Sequence, residues 1–226
     1  VGMIRDAIDA HGIADNTVIV YTSDNGFFCG SHGYGSKVLP YQESTKVPLI
    51  IYDPRHRNSG KRLRSDALTA NIDFAPTILS LAGLRVPKNM DGTDLMPLYE
   101  DPTADIHETI ALINVWGHTA THTLAVVTND MKYIHWPYAA EGFEARDELY
   151  HLSKDPHELV NQADNPEYAA AIKQMRQHYD EQLADWTKGA VSYNEYQSYS
   201  TAFDRNVEWA DKSDAFLKGQ STSKKK

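Results

Sequence analysis

Residues 21–37, which read YTSDNGFFCGSHGYGSK, combine side chains that could hold a metal ion. Asp24 and Asn25 follow an apolar run directly and precede Gly26, at the carboxyl end of a predicted strand, where open α/β sheets bind ligands. Where the backbone curls out through Gly26, both side chains can turn toward one point. A carboxylate and an amide offer only oxygen atoms, which suits Ca²⁺ or Mg²⁺ better than zinc. The segment therefore predicts a site for a hard cation.

The same residues also allow a structural interpretation. Asp-Asn-Gly is a common turn tripeptide, in which the Asx side chains bond their own backbone. Lys37, taken alone, is typical of a solvated surface lysine. These alternatives stay open until the surrounding sequence is considered.

Composition limits the possible functions. The chain has 226 residues and a formal net charge of -9, which argues against a general nucleic-acid binder because such proteins need a basic surface. No run of about 18 apolar residues occurs, so the sequence predicts no membrane partner. The single cysteine cannot form an intramolecular disulfide.

The elements that must position the segment alternate between strand and helix. Residues 17–22 and 47–52 are nearly continuous in apolar character, which predicts strands covered on both faces in a parallel sheet. Residues 66–69 suggest a further short strand. Asp73 is a candidate N-cap for a helix that ends near Gly83. We expect residues 1–105 to belong to an α/β domain.

The pattern changes after residue 105. Four short strand candidates follow, which favours an antiparallel sheet: 109–115, 123–128, 132–136 and 148–152. A helix is predicted from Pro166 to about Trp186, because apolar residues recur there at steps of three or four. We therefore expect a subdomain over 106–186 and an extended or mobile tail over 187–226.

The motifs SDNG and G-x-HG, then Lys37, then YQESTKVPLII resemble the C-terminal half of the sulfatase family, within the alkaline phosphatase superfamily. The resemblance continues in family order through IDFAPTILSLAGL, MDGTDLMPL, MKYIHW and ELYHLSKDPHELVNQADNP, and covers Val1 to about Trp186. It implies an α/β fold: the C-terminal part of an alkaline-phosphatase-like, mostly parallel sheet with helices. A small antiparallel β subdomain packed with a long helix follows it.

The resemblance also implies roles for individual residues. By matching position, Asp24 and Asn25 would bind Ca²⁺, with Mg²⁺ as the alternative, and Lys37 would contact the sulfate and the leaving oxygen. His32 matches a histidine that lies near the pocket in many relatives, and is a candidate catalytic residue. However, Ser31 replaces a common glutamate, and His32 could instead cap a turn. A dication and an ammonium group can stabilise charge on the leaving alcohol.

The family's nucleophile has no counterpart in the sequence. Sulfatases of this family use formylglycine made from a Cys or Ser in the motif C/S-x-P/A-x-R. Cys29 is followed by GSHG, which does not fit this motif. Ser80 comes nearest to fitting it, but the arginine after Ser80 lies one position later than the motif requires. We therefore expect the chain to be a C-terminal fragment that is inactive alone. Its expected partner is the missing N-terminal half of the same enzyme, and that half is expected to carry the formylglycine.

Aromatic and imidazole side chains in the second half suggest the substrate. We expect a sulfated carbohydrate to meet a surface formed in part by Trp116, His118, His122, His135 and Trp136. Lys37, Trp116 and His118 are the candidate substrate contacts. The enzyme alternative is a phosphonate monoester or phosphodiester hydrolase, whose members tend to have Asp-His where this chain has Asp24-Asn25. The other alternative is a noncatalytic glycan-binding remnant.

Three further expectations concern the structural roles of individual residues and the location of the protein. Glu43 and Lys46 are expected to anchor the following helix, and Asp73 to act as a helix cap without a role in the site. The family resemblance implies a periplasmic or secreted protein.

Overall fold

The computed structural model describes residues 1–191 and 196–212. Its α-helices are α1 (Gly2–Ala10), α2 (Gln42–Thr45), α3 (Phe74–Leu81), α4 (Pro97–Glu100), α5 (Ala169–Gly189) and α6 (Tyr199–Ala202). Its strands are β1 (Ile19–Thr22), β2 (Phe28–Cys29), β3 (Gly35–Ser36), β4 (Leu49–Tyr52), β5 (Ile110–Asn114), β6 (Thr123–Val127), β7 (Met131–Trp136) and β8 (Arg146–His151). None of the helices in these described ranges is long and apolar enough to cross a bilayer.

The chain forms two compact units whose sequences interleave. Unit 1 comprises residues 1–25 and 46–108, and unit 2 comprises residues 26–45 and 109 onward. The expected boundary near residue 105 lies close to the second of these divisions. The assignment of residues 26–45 to the second unit differs from the expected division, because this segment packs on the later sheet.

In unit 1, β1 and β4 pair in antiparallel fashion, with Val20 opposite Ile51. The two strands, which were each expected to lie in a parallel sheet, are therefore antiparallel to each other. Val20 and Ile50 also remain exposed, at 36% and 59%. An apolar run predicts that a strand can be covered on both faces, but it does not determine the direction of the neighbouring strand.

Two other expectations for unit 1 had different outcomes. The helix expected after Asp73 is confirmed as α3, whereas residues 66–69 form no strand. Met3 and Ile4 on helix α1 are largely exposed.

In unit 2, the expected antiparallel sheet is confirmed, in the order β5-β6-β7-β8. The long helix is also confirmed: Asn165 Oδ1 accepts the Glu167 N–H at 3.0 Å just before α5. The expected apolar stripe of α5 is buried on one face of the sheet: Ile172, Met175, Tyr179 and Leu183. The other face carries Lys132 and Trp136, which contact residues 40 and 41. Segment 26–45 thus covers the face of the sheet opposite α5.

The end of the chain is more closely packed than we expected. Helix α5 continues to Gly189, and Tyr199, Ala202 and Phe203 lie in the core of unit 2. The Tyr179 hydroxyl donates to the Phe203 carbonyl at 2.6 Å. Residues 196–212 therefore pack against α5, where we expected an extended or mobile tail. The rest of the expected tail, 192–195 and 213–226, lies outside the described residues.

Candidate active site

Asp24 and Asn25 form a short turn directly after β1, fixed by local hydrogen bonds. The Asn25 N–H donates to Asp24 Oδ1 at 2.9 Å, and the Ser23 hydroxyl donates to the Asn25 carbonyl at 2.8 Å. The Asn71 amide nitrogen donates to the Asp24 carbonyl at 2.9 Å. The turn therefore has the Asx-type bonding of the structural interpretation, and this bonding fixes where the two side chains leave the backbone.

The donor set of this turn fits a hard cation in part. Asp24 is exposed, and it offers a carboxylate beside the amide of Asn25. Oxygen ligands of this kind suit Ca²⁺ or Mg²⁺. Within residues 1–191 and 196–212, Asp24 belongs to no group of three His, Cys, Asp or Glu side chains that converge on one point. Asp24 and Asn25 would thus supply two ligands of a larger set.

Lys37 lies in the segment of residues 26–45, which we call the Lys37 loop. The loop begins with a hairpin in which Phe28 of β2 pairs with Ser36 of β3. Lys37 is exposed, and its neighbours Ser36 and Val38 both have positive φ, at 73° and 84°. Non-glycine residues rarely adopt this region, and a β-branched residue there is an outlier. The backbone that presents Lys37 is therefore strained.

His32 is turned toward the protein. Its ring stacks on Tyr41, with centroids 4.3 Å apart and an interplanar angle of 17°. Its Nε2 lies 3.4 Å from Glu43 Oε2, and only 12% of its side chain is exposed. No side-chain cap bond occurs at the 3-10 turn Ser31–Gly33 that contains it. The candidate turn-capping role is therefore absent from this turn.

Glu43 and Asp73 have different surroundings from those expected. Glu43 lies within α2, and its carboxylate faces His32. Asp73 stands at the N-cap position of α3, but its side chain makes no cap bond there. Instead, Asp73 is fully buried, accepts the N–H groups of Ala70 and Thr93 at 2.8 Å, and lies 2.9 Å from His107 Nε2. The prediction that Asp73 caps α3 is therefore wrong: its carboxylate joins three separate segments of unit 1.

Trp116 and His118 lie on an ordered loop between β5 and β6. Asn114 accepts the Trp116 N–H at 3.0 Å and donates to the Thr121 carbonyl at 2.8 Å, which closes the loop. Trp116 is 69% exposed, and the His118 side chain is 64% exposed. The loop thus presents an indole and an imidazole to solvent.

The other aromatic candidates are in the interior. His122, His135 and Trp136 are exposed by only 3%, 6% and 8%. Burial lowers the pKa of His122 and the pKa of His135 below the ordinary value for a histidine. The expected surface of five side chains is therefore reduced to Trp116 and His118.

Other rings extend the surface beside His118. The Tyr138 ring lies 6.1 Å from the His118 ring and 5.8 Å from the Phe143 ring, in edge contacts. Phe143 is 58% exposed. Phe143 was not expected from the sequence, because it lies in a polar stretch without a periodic apolar pattern.

Lys132 and Glu158 were also not identified from sequence. Both are buried, and Lys132 Nζ lies 2.7 Å from Glu158 Oε1. Each also contacts the backbone of the Lys37 loop. The sequence shows a lysine within the predicted strand MKYIHW, but it does not show which residue that lysine would pair with. Cys29, by contrast, is exposed and free.

Comparison with known families gives a match over most of the chain. Residues 30–185 match the family described as N-sulphoglucosamine sulphohydrolase, C-terminal. This range contains Lys37 and His32 and begins after Asp24 and Asn25.

Individual relatives agree with this match. An N-acetylglucosamine-6-O-sulfatase of Bacteroides thetaiotaomicron is 34% identical over 187 residues, which cover 80% of this chain and 32% of the relative. A solved structure of a protein in complex with its substrate D-glucosamine-2-N,6-O-disulfate is 33% identical with a TM-score of 0.73, over 83% of this chain and 38% of that one.

A phosphonate monoester hydrolase of Agrobacterium radiobacter is also similar, at 25% identity and a TM-score of 0.65, over 84% of this chain and 38% of that one. The neighbours together have the alkaline-phosphatase-like fold. The chain spans between 32% and 39% of the length of the first curated relatives that it matches.

Proposed function

Because the chain belongs to the sulfatase family, as its C-terminal portion, we propose that it supplies part of the active site of a sulfuric ester hydrolase. The observation that carries the proposal is the match of residues 30–185, including Lys37, to the C-terminal part of a sulphohydrolase. The chain contains no C/S-x-P/A-x-R motif. The proposal therefore requires a formylglycine nucleophile from residues outside this sequence.

Asp24 and Asn25 are the proposed metal ligands. Their carboxylate and amide oxygens would contribute to a Ca²⁺ site, with Mg²⁺ as the alternative. The bound cation would supply positive charge that stabilises the negative charge developing on the ester. The hydrogen bonds from Ser23 and Asn71 hold the turn in place, so the ligands need little reorganisation on binding.

Lys37 is the proposed sulfate contact. Its ammonium group carries three donors and can hydrogen-bond both a sulfate oxygen and the oxygen of the leaving alcohol. A fixed positive charge stabilises the leaving alkoxide more than the neutral ester, which lowers the barrier. His32 is the second catalytic candidate, and its contacts with Tyr41 and Glu43 favour orientation of the loop over direct proton transfer.

A sulfated carbohydrate is the proposed substrate. Trp116, His118 and Phe143 offer exposed ring faces and an imidazole, which suit the apolar faces and hydroxyl groups of a sugar. A structural neighbour binds a disulfated glucosamine. We therefore propose an amino sugar sulfate in preference to a small aryl ester, and a periplasmic or secreted location, where such glycans occur.

The similarity to a phosphonate monoester hydrolase supports a second candidate function, the hydrolysis of phosphonate monoesters or phosphodiesters. Asn25 favours the sulfatase, since the family resemblance associates Asp-His with the phosphonate hydrolases at this position.

The test is a substrate panel with the complete gene product that contains this sequence. Glucosamine 6-sulfate, 4-nitrophenyl sulfate and phenyl phosphonate monoester would be compared by kcat/KM. We expect the sulfated sugar to exceed both others by about tenfold or more. A preference for the phosphonate would support the second function. Binding of the sulfated sugar without turnover would support the noncatalytic alternative.

A further inference from the structure

A buried ion pair holds the backbone of the Lys37 loop on both sides of Tyr41. Lys132 Nζ on β7 donates to the Pro40 carbonyl at 2.6 Å and lies 2.7 Å from Glu158 Oε1. Glu158 Oε2 accepts the Gln42 N–H at 2.6 Å. The pair therefore provides one donor and one acceptor for two backbone groups of the loop.

The side chains of this pair have almost no contact with solvent. Lys132 and Glu158 are each 1% exposed. An ion pair removed from water loses hydration, and breaking it by removing one partner leaves a buried charge. The two residues must therefore keep their geometry together, and the loop groups bonded to them are fixed with them.

A second anchor lies beside the first. The Tyr41 hydroxyl donates to Glu148 Oε2 at 2.8 Å, and the Tyr150 hydroxyl donates to the same oxygen at 3.0 Å. Burial, and then the Glu148 charge, raise the pKa of Tyr41 well above its ordinary value. Tyr41 thus remains a neutral donor, and the loop is joined to β8 as well as to β7.

The strained part of the loop lies immediately before these anchors. Lys37 stands between Ser36 and Val38, both with positive φ. The Val38 N–H donates to the Ser44 hydroxyl at 3.0 Å, within the same loop. Strained backbone persists only where the surrounding structure over-determines it. Anchors at Pro40, Tyr41 and Gln42 provide that constraint.

The same cluster contains three atoms that could bind a metal. Three ligand atoms, one each from His32, Glu43 and Glu158, lie within 4.8 Å of one another. His32 Nε2, Glu43 Oε2 and Glu158 Oε1 make no well-oriented hydrogen bonds within the described residues. However, Lys132 already brings a positive charge to Glu158 Oε1. A dication bound there would be repelled by the ammonium group at short range. The arrangement therefore favours an ionic anchor over a metal site.

We propose that Lys132 and Glu158 are positioning residues for Lys37. They act through Pro40 and Gln42, and hold the strained backbone that presents the Lys37 ammonium group. The proposal rests on the proposed sulfate-binding role of Lys37. It assigns a catalytic effect to two buried side chains that need no contact with substrate.

The test uses the complete gene product with Glu158→Gln and Lys132→Met, each alone and combined with Lys37→Ala. Asp180→Asn is the control, because Asp180 of α5 accepts hydrogen bonds from Arg205 and is remote in sequence from the loop. Steady-state kinetics on a sulfated glucosamine give kcat and KM, and hydrogen exchange reports the Gln42 N–H. Tyr41→Phe is a further variant, which deletes a single hydroxyl should the charged variants fold poorly.

We expect Glu158→Gln and Lys132→Met to lower kcat by about tenfold or more and to accelerate exchange of the N–H groups of residues 41–43, while Asp180→Asn changes neither. In the Lys37→Ala background, the added loss of kcat should fall below about threefold, because the effect passes through Lys37. If the ion pair had only a general structural role, the fold losses of kcat in the single variants would multiply in the variants that also carry Lys37→Ala.

Two results would overturn the proposal. One is unchanged loop exchange and kcat in folded Glu158→Gln protein. The other is a divalent metal found in the purified protein by elemental analysis and lost in Glu43→Gln, which would assign the cluster as a metal site. Absence of sulfatase activity in the unmodified protein would contradict the proposed function, while hydrogen exchange would still decide whether the pair fixes the loop.

Discussion

His135 on β7 and Asp147 on β8 stand directly opposite each other in the sheet, and His135 Nδ1 lies 2.9 Å from Asp147 Oδ1. The other carboxylate oxygen, Oδ2, accepts a hydrogen bond from Arg176 Nη2 of α5 at 2.6 Å. Asp147 therefore connects two strands with the long helix that covers them.

The first prediction concerns the pH dependence that follows from Asp147. Burial alone would raise its pKa, but the hydrogen bonds with His135 and Arg176 outweigh burial and lower the pKa from 3.8 to about 2. Because the folded-state pKa is below the unfolded-state value, this stabilisation is fully present above about pH 4 and is lost as pH falls toward 2. The shift corresponds to about 2 kcal/mol of unfolding free energy.

Urea unfolding of Asp147→Asn would measure this contribution. We expect a loss of about 2 kcal/mol at pH 7 that shrinks as the pH falls from 4 to 3. Asp180→Asn, which removes a more exposed carboxylate from its arginine, should cost less than about 1 kcal/mol at pH 7. A loss that stayed constant from pH 7 to pH 3 would contradict the assignment.

The second prediction concerns the close approach of the backbone at Gly26. A Cβ added there would lie 1.9 Å from the Glu43 carbonyl oxygen, which is backbone and cannot rotate away. We expect Gly26→Ala to lower the unfolding free energy by more than about 2 kcal/mol.

Gly35→Ala is the matched control for Gly26→Ala. Nothing lies within 4 Å of a Cβ added at Gly35, and its φ is not in the left-handed region. This variant should change the free energy by less than about 1 kcal/mol. Equal effects of the two alanines in chemical denaturation would show that the backbone at Gly26 can move away from the Glu43 carbonyl.

The third prediction concerns Lys37. If its ammonium group stabilises the leaving oxygen, Lys37→Ala should reduce kcat/KM for a sulfate ester by about 10²–10³-fold in the complete protein. Lys173→Ala removes an exposed lysine from α5 and should leave the rate unchanged. Comparable rates for the two variants would remove Lys37 from the site.

The fourth prediction concerns metal binding by Asp24. Asp24→Asn should weaken Ca²⁺ binding to the complete protein by about tenfold or more, because a negative ligand is replaced by a neutral one. Isothermal titration calorimetry would measure the affinity. Asp15→Asn, at another exposed position of unit 1, should bind Ca²⁺ as the unmodified protein does. Retained affinity in Asp24→Asn would exclude Asp24 as a ligand.

The fifth prediction concerns substrate choice. Trp116→Ala should raise KM for a sulfated sugar by about tenfold and leave 4-nitrophenyl sulfate little affected, because the indole lies on an exposed loop. Val160→Ala, at another exposed apolar position, serves as the control. A parallel loss on both substrates would indicate disturbance of the reaction centre instead of a sugar contact.

The sequence alone determined the local elements and the family. Consecutive short strand candidates predicted the antiparallel strands β5 to β8. The apolar stripe of α5 specified a helix because side chains on one helical face recur at steps of three or four residues. The order of motifs around Asp24, Asn25 and Lys37 indicated a sulfatase, and the match over residues 30–185 agrees. These features depend on neighbouring residues, so a single sequence displays them.

Only the tertiary structure decided which residues meet across long separations. It paired β1 with β4 in antiparallel fashion, buried His122, His135 and Trp136, and packed Phe203 into the core. It also brought Lys132 and Glu158 to the backbone of the Lys37 loop, which lies about 90 to 120 residues earlier in the chain. Periodicity predicts that a face is covered, but the identity of the covering group depends on packing of the whole chain.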